Sequence, residues 1–196
     1  VKASAAESKE NNILLEFGSP DYCRLKSAKL PGWTDADLLL YSWYWNGYEE
    51  ECAKLYYSVS REGDKVSVPQ EIQDDETWDM DPFIFTDNDA TFNNNMLVAW
   101  TDANKKFDGS ETKDEIAGSM RISVTALKSS TLVFANQILT VTKSSDNVSM
   151  YNPHVTKVGD KILITWVVCS DVKNDDGAYG IEGLYYDPDT NKFSSD

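Results

Sequence analysis

One arrangement of polar and apolar positions occurs three times along the chain. Each copy begins with a polar residue and a proline, passes through a short strand-like segment and a turn, and ends in an apolar run closed by tryptophan. The prolines that begin the copies and the tryptophans that end them are Pro20 with Trp43, Pro82 with Trp100, and Pro153 with Trp166. We therefore predict three copies of one structural unit.

The residues after each tryptophan predict two further strands in every copy. Residues 54–59, 119–124 and 181–186 form third strands, and Met120, Ile122 and Val124 show the two-residue alternation of a strand with one buried face. Turns follow, and fourth strands are predicted at 66–72, 132–141 and from 192 onward. No stretch has a sustained helical period, so residues 102–115 are assigned to a long loop. Each unit has the size and pattern of a propeller blade.

The predicted fold is therefore all-β and of the β-propeller type, with about three four-stranded antiparallel blades. The blades are expected at about 20–75, 79–143 and 150–196, within one domain over 13–196 that follows a flexible N-terminal segment, 1–12. A proline is tolerated where it opens a first strand, because its missing N–H falls outside the ladder. The repeated tryptophans are expected to fill the space between neighbouring sheets.

The turn after the third strand of the first unit resembles a known motif. Residues 57–72 (YSVSREGDKVSVPQEI) are similar to the Asp-box of the sialidase/BNR-repeat propellers, which reads Ser-x-Asp-x-Gly-x-x-Trp. This copy lacks the tryptophan, and its Asp64 follows Gly63. The resemblance implies propeller architecture; in that family the motif stabilises a turn away from the active site, so it assigns no catalytic residue here.

Composition and charge exclude several classes of protein. The 196 residues carry a formal net charge of -15, and 41% of them are hydrophobic. Such a chain can bury a core, which argues against disorder. Its negative charge repels nucleic acid and anionic lipid. No apolar run approaches the roughly 20 residues of a membrane helix, so membrane insertion is not expected.

The sequence carries few of the groups that define familiar catalytic or metal sites. Cys23, Cys52 and Cys169 have one histidine, His154, to join them, which is too few ligands in this spacing for a zinc site. Arg24 is the one arginine on a predicted inner strand, so the three-arginine site of sialidases is not expected. No cofactor is predicted, although calcium is possible at the acidic loops 74–81, 87–95 and 171–177.

Propeller geometry indicates where a ligand would bind. The loops that enter first strands and those that join second to third strands emerge on one face, which brings aromatic rings beside carboxylates and amides. The candidate ligand-binding residues there are Arg24, Trp45, Tyr48, Trp78, Asp79, Asp81, Tyr151 and His154. Aromatic rings beside polar groups suit a carbohydrate or a protein partner. Alternatively, Trp45 and Tyr48 merely cover a blade edge.

Two functional interpretations remain open at this point. The first is a non-catalytic binding or scaffold module of an extracellular or cell-surface bacterial protein, with a glycan or a protein as ligand. The alternative is a glycoside hydrolase or lyase with an acidic active site on the same face. Three blades do not close a ring. We therefore expect either a homo-oligomer, in which residues 13–17 complete a blade of another copy, or a fragment of a longer propeller.

Overall fold

Three antiparallel sheets, each made of strands consecutive in sequence, form the body of the protein. The computed structural model describes residues 4–7, 13–16, 22–44, 53–61, 65–73, 75–87, 95–134, 138–141, 145–173, 177–187, 190 and 192–194. The first sheet contains β3 (Tyr22–Lys29), β4 (Ala36–Tyr44), β5 (Lys54–Arg61), β6 (Lys65–Val66) and β7 (Gln70–Glu71). The second contains β8 (Asp79–Thr86), β9 (Asn95–Ala103), β10 (Met120–Lys128), β11 (Val133–Phe134) and β12 (Leu139–Thr140). The third contains β13 (Ser149–Val158), β14 (Lys161–Cys169), β15 (Tyr179–Asp187) and β16 (Lys192–Ser194).

These sheets confirm the predicted all-β, propeller-type class. Within each sheet the first three strands pair antiparallel in chain order, as expected for a blade. The fourth strands differ from the prediction in the first two sheets, where each is divided into two short strands that pair separately with the third. In the first sheet Pro69 lies between the two pieces, and a residue without an N–H cannot extend the ladder there.

A short helix corrects the assignment of the loop after β9. Helix α1 covers Lys113–Ser119, so the third strand of this sheet begins at Met120 and not at Ser119. Thr112 caps the helix: its hydroxyl accepts from the backbone N–H of Glu115, whose carboxylate accepts from the N–H of Thr112. The helix arises from this capping box, a local signal that a search for long apolar periods does not detect.

The N-terminal part of the chain forms a separate pair of strands. Here β1 (Ser4–Glu7) pairs antiparallel with β2 (Ile13–Glu16). The segment 1–12, expected to be flexible, thus contains one strand. In the described residues β2 has β1 as its partner and does not extend any of the three larger sheets. Completion of a blade by this segment in another copy stays a prediction.

Two apolar cores hold the three sheets side by side. Between the first and second sheets, Leu38 and Leu40 pack with Met96, Val98 and Trp100. Between the second and third sheets, Leu97, Ala99, Ile122 and Val124 pack with Ile162, Ile164 and Trp166. Trp100 is fully buried and Trp166 is 3% exposed, which places both tryptophans between sheets as expected. The side chain of Trp43 lies outside the described residues.

Candidate ligand-binding rim

The first strands of the sheets lie next to one another and begin at the same end of the molecule. β3 lies beside β8, and β8 lies beside β13. Because the ladders are antiparallel, the start of each first strand faces the end of the second strand: Tyr22 pairs with Tyr44, Asp79 with Asp102, and Ser149 with Cys169. We call this end of the three sheets the rim.

The rim contains the same backbone irregularity in two neighbouring sheets. Between Met80 and Phe83 in β8, and between Tyr151 and His154 in β13, the strand register shifts. Within these bulges Asp81 has φ 48° and Asn152 has φ 55°. Positive φ is uncommon outside glycine and costs about 1–3 kcal/mol. The backbone conformation of a residue before proline is further restricted, yet Asp81 and Asn152 each directly precede a proline.

Hydroxyl groups of the preceding sheet contact the backbone of both segments. The N–H of Asn152 donates to Thr101 Oγ1 of β9 at 3.1 Å. The hydroxyl of Ser42 in β4 donates to the carbonyl oxygen of Asp79. Each contact joins one sheet to the next, so the neighbouring sheet helps to keep the bulged strand in this conformation.

Asp79, a predicted ligand-binding residue, lies inside the protein at the rim. Its side chain is turned between the first and second sheets, where the residue is 1% exposed. Trp100 Nε1 donates to Asp79 Oδ1 at 2.6 Å, and the N–H of Asp79 donates to the carbonyl of Ala53. Burial, followed by the charges of Asp102 and Asp75, raises the pKa of Asp79 well above its usual value. In this position Asp79 joins two sheets and does not reach solvent.

Asp102 forms a second buried carboxyl beside Asp79 on the neighbouring strand. The hydroxyl of Ser123 and Nε of Arg121, at 3.3 Å, donate to its Oδ2, and the hydroxyl of Thr77 lies 3.4 Å from its Oδ1. Burial raises the pKa of Asp102, although the bond from Ser123 and the charge of Arg121 lower it in part. These contacts stabilise the inner side of the rim.

Four other predicted residues occupy different environments at and near the rim. Arg24 is exposed on β3. Trp78 is half-buried and meets Phe107 edge-on, with ring centroids 5.3 Å apart. Tyr151 is half-buried, and burial raises the pKa of its phenol. His154 is exposed just past the bulge of β13.

The predicted set is therefore divided, since Asp79 is buried and Arg24 and His154 are exposed. The His154 ring packs at 4.2 Å from that of Phe83 in the neighbouring first strand. Asp81 and Tyr151 are half-buried, and Asn152, which the sequence reasoning did not select, is exposed beside Tyr151. Trp45 and Tyr48 lie outside the described residues. The sequence contains a signal for the two positive-φ positions: Asp81 and Asn152 are residue types that tolerate positive φ, and each directly precedes a proline.

A cavity of about 660 Å³ opens beside the rim, between α1 and the turns of the third sheet. Its volume lies within the range of small-ligand sites. The cavity is lined by Asn104, Lys105, Thr112, Asp114, Glu115, Gly118, Ser119, Asp146 and Lys173. Sequence reasoning missed it because α1 was assigned to a loop.

Among the described residues there is neither a cluster of metal ligands nor a membrane-spanning helix. Over those ranges no three His, Cys, Asp or Glu side chains are grouped to hold a metal ion. Parts of the three acidic loops considered for calcium, namely 74, 88–94 and 174–176, lie outside them. Among the helices in the described part of the chain, none is long and apolar enough to span a bilayer.

Comparison with known proteins identifies the fold. Neither a family model nor a curated protein matches the sequence. The endo-arabinase from Bacteroides thetaiotaomicron VPI-5482 is similar in structure over 92% of this chain, with 15% identity and a TM-score of 0.50. The GH93 alpha-L-arabinofuranosidase of Fusarium graminearum, solved with arabinobiose, is similar over 91%, with 14% identity and a TM-score of 0.55.

The chain spans 60% of the length of the first of these proteins and 50% of the second. At such low identity the likeness concerns the fold and not the chemistry. It does not support the narrower resemblance to sialidase/BNR blades. The described sheets are therefore β-propeller blades, similar in arrangement to part of two larger proteins.

Proposed function

We propose that the rim binds a glycan. The observation that carries this proposal is the pair of matching bulges, which hold Asp81 and Asn152 at positive φ in adjacent first strands. Bulges redirect side chains and are common beside active sites, and strained backbone is concentrated where function requires it. Two such positions, repeated at the same end of neighbouring blades, support a binding role for this end.

The chemistry around the bulges suits a neutral sugar. Asn152 supplies an exposed amide and Asp81 a half-buried carboxylate, and the aromatic Tyr151 directly precedes Asn152 in the chain. Such groups complement the hydroxyls and the apolar face of a sugar ring. The net charge of -15 disfavours an anionic ligand. The names of the two structural neighbours, an endo-arabinase and an arabinofuranosidase, support arabinose oligosaccharides as the first ligands to test.

Titration calorimetry with arabinobiose and longer arabino-oligosaccharides tests the proposal. Asn152→Gly and Asp81→Gly remove the side chains and still permit positive φ. We expect each to weaken binding by about tenfold or more, which corresponds to the loss of about one good hydrogen bond. Leu132→Gly is the matched control, because Leu132 also has positive φ, 55°, but follows β10 at the end opposite the rim. Unchanged binding by Asn152→Gly would contradict this assignment.

Hydrolysis of a glycoside at the same rim is the second candidate function. It is favoured by the names of both structural neighbours and by the carboxylate of Asp81 within a bulge. Glycosidases of the common type need two carboxyl groups on either side of the scissile bond. A chromogenic arabinofuranoside panel decides between the two: turnover lost in Asp81→Asn with binding retained supports a hydrolase. If the unmodified protein binds the sugar without any turnover, the result supports a non-catalytic module. Both proposed functions place the protein outside the cell or at the cell surface.

A further inference from the structure

The cavity between α1 and the turns of the third sheet, which we call the α1 cavity, contains charged groups of both signs. Lys105 and Lys173 supply two ammonium groups, and Asp114, Glu115 and Asp146 supply three carboxylates. Within the described residues neither lysine forms an ion pair with these or any other carboxylates. The α1 cavity therefore presents hydrogen-bond donors and acceptors that a ligand can use.

The contacts of two of these groups show how much bonding capacity remains. The Glu115 carboxylate accepts from the N–H of Thr112 at 2.8 Å and from its hydroxyl at 3.0 Å, in both cases through Oε2. Its Oε1 has no donor among the described residues. The Lys105 ammonium group lies 5.7 Å from the ring centroid of Phe107, which is a weak contact at an exposed site. Both side chains can therefore bond to a ligand and keep their present contacts.

Hydrogen bonds fix the walls of the α1 cavity. The N–H of Asn104 donates to the carbonyl oxygen of Ser119 at 3.1 Å, which closes the loop before α1 onto the end of the helix. Asn147 Nδ2 donates to Asp171 Oδ1 at 2.8 Å, and the N–H of Val172 donates to the carbonyl oxygen of Asn147 at 3.1 Å. These two bonds join the turn before β13 to the turn after β14. A cavity with fixed walls loses little conformational entropy when a ligand binds.

The mixture of charges in the α1 cavity favours a neutral ligand with many hydroxyl groups. Three carboxylates repel an anion, and two ammonium groups repel a cation. A hydroxyl group both donates to a carboxylate and accepts from an ammonium group, so a ligand with several hydroxyls can bond to both kinds of group. A small zwitterion has one group of each sign and would leave most of the lining unpaired. A volume of about 660 Å³ and this lining suit part of a neutral oligosaccharide.

The α1 cavity lies at the same end of the molecule as the rim, because Asn104 follows the end of β9 and Asp146 precedes the start of β13. Asp146 comes six residues before Asn152, a separation of at most about 20 Å along an extended chain. Neither Asp81 nor Asn152 lines the cavity, so the bulges and the cavity are separate but near one another.

We propose that the α1 cavity is a second subsite for the glycan that binds at the rim, reached by sugar chains longer than a disaccharide. This subsite rests on the proposed function, because the rim holds the first sugars of the chain. Contact with both places makes the second binding event intramolecular, which raises the affinity for a longer chain.

Titration calorimetry of the full chain with arabinobiose and with arabinopentaose tests the subsite. We expect arabinopentaose to bind at least about tenfold more tightly, since it gains at least one hydrogen bond to a charged group. Lys173→Met removes such a group, so we expect about a tenfold loss of affinity for arabinopentaose and no change for arabinobiose. Lys128→Met is the matched control, because Lys128 is an exposed lysine at the end of β10 opposite the rim.

Hydrogen exchange gives an independent measurement of the same site. We expect arabinopentaose, and not arabinobiose, to slow amide exchange in α1. Lys105→Met, on the other wall of the cavity, is expected to weaken arabinopentaose binding in the same way as Lys173→Met. Circular dichroism checks that each variant is folded.

The results separate a failure of the subsite from a failure of the proposed function. Equal affinities for the two sugars, or equal effects of Lys173→Met and Lys128→Met, would overturn the subsite while arabinobiose binding still supports the rim. Loss of arabinobiose binding in Lys173→Met would also overturn it, because the first sugars would then lie in the cavity. Slower exchange in α1 with glycine and not with arabinopentaose would assign the cavity to zwitterions instead. If neither sugar binds, the proposed function is contradicted and the subsite with it.

Discussion

At the scale of the residue, two tryptophans in equivalent positions differ in their hydrogen bonding. Trp100 Nε1 donates to the buried carboxylate of Asp79. Trp166 Nε1 is buried and has no hydrogen-bond partner within the described residues. The registers explain the difference: Asp79 pairs with Asp102, two residues after Trp100, and Met150 pairs with Val168, two residues after Trp166. In the third sheet the thioether of Met150 therefore occupies the position that the carboxyl group of Asp79, the acceptor for Trp100, occupies in the second sheet.

Replacing each tryptophan by phenylalanine separates the hydrogen bond from the packing. Trp100→Phe leaves the buried Asp79 carboxyl without its indole donor, so we expect a loss of about 1–3 kcal/mol beyond the loss caused by the smaller ring. Trp166→Phe is the control, because it removes a similar volume and no hydrogen bond. Urea denaturation of both variants gives the comparison, and equal losses would contradict the role assigned to Asp79.

The raised pKa of Asp79 predicts a pH-dependent stability. Because the pKa of the carboxyl is higher in the folded protein than the value of about 3.9 in an unfolded chain, the folded state binds the proton more tightly. This contribution is therefore fully present below about pH 4, and it is lost as the pH rises through the folded-state pKa. Asp102 acts in the same direction, since its pKa is also raised by burial.

Asp79→Asn is expected to flatten this dependence. The amide cannot ionise, and its oxygen still accepts from Trp100. Urea unfolding at a series of pH values above 4 measures the slope. Asp108→Asn serves as the comparison, because the Ser110 contacts lower the pKa of the exposed Asp108 and its contribution therefore changes only at more acidic pH. An unchanged slope in Asp79→Asn would show that another group controls it.

At the scale of the element, α1 is positioned by a close backbone contact. Gly118 lies near the end of this helix, and a Cβ atom built there would collide with the carbonyl oxygen of Asp146 in the turn before β13. Gly118 is therefore required for α1 to pack directly on this turn. The contact also fixes one wall of the cavity beside the rim, since both residues line it.

Gly118→Ala tests this packing, because the contact and helix propensity predict changes of opposite sign in the free energy of unfolding. Helix propensity alone predicts that alanine stabilises α1 by about 1 kcal/mol. The collision with backbone predicts destabilisation by about 1–3 kcal/mol, as in other overpacked sites. We expect destabilisation in thermal unfolding, together with faster hydrogen exchange in α1. Ala117→Gly controls for propensity at the adjacent position, and stabilisation by Gly118→Ala would refute the contact.

At the scale of the whole molecule, the second sheet contributes to both cores. Leu40, fully buried, packs where the first sheet meets it, and Leu97, also fully buried, packs where the third sheet meets it. A sheet with both faces buried couples the unfolding of its two neighbours, which is the condition for one cooperative transition.

Leu40→Ala and Leu97→Ala are each expected to destabilise the protein by about 2–5 kcal/mol, the usual effect of a cavity in a packed core. Because the sheets are coupled, circular dichroism and tryptophan fluorescence should report the same midpoint in each variant. Leu25→Ala on β3 is the control, since Leu25 is 60% exposed. Separate midpoints from the two probes would show that the sheets unfold independently.

Some features of the site could be predicted because their causes are local. The prolines and tryptophans mark the strands of each blade, and antiparallel connections place the starts of the first strands at one end. The location of Asp81, Tyr151 and His154 near this end follows from this reasoning, and their part in ligand binding stays a prediction. Asp79 lies at the expected end but faces the core, because the bulge that follows changes the alternation of side chains along β8.

The sequence by itself determined the all-β class, the three repeated sheets and the tryptophans between them, because each depends on the short-range alternation of apolar residues and on prolines and turns. Only the tertiary structure decided the burial of Asp79 and Asp102, the cavity beside α1 and the exposure of Ile181. These depend on which sheet, if any, covers a given face. That choice is made by contacts between segments far apart in the chain. The nearly continuous apolar run of β14 makes both of its faces suitable for burial, but it does not specify which segment covers each face.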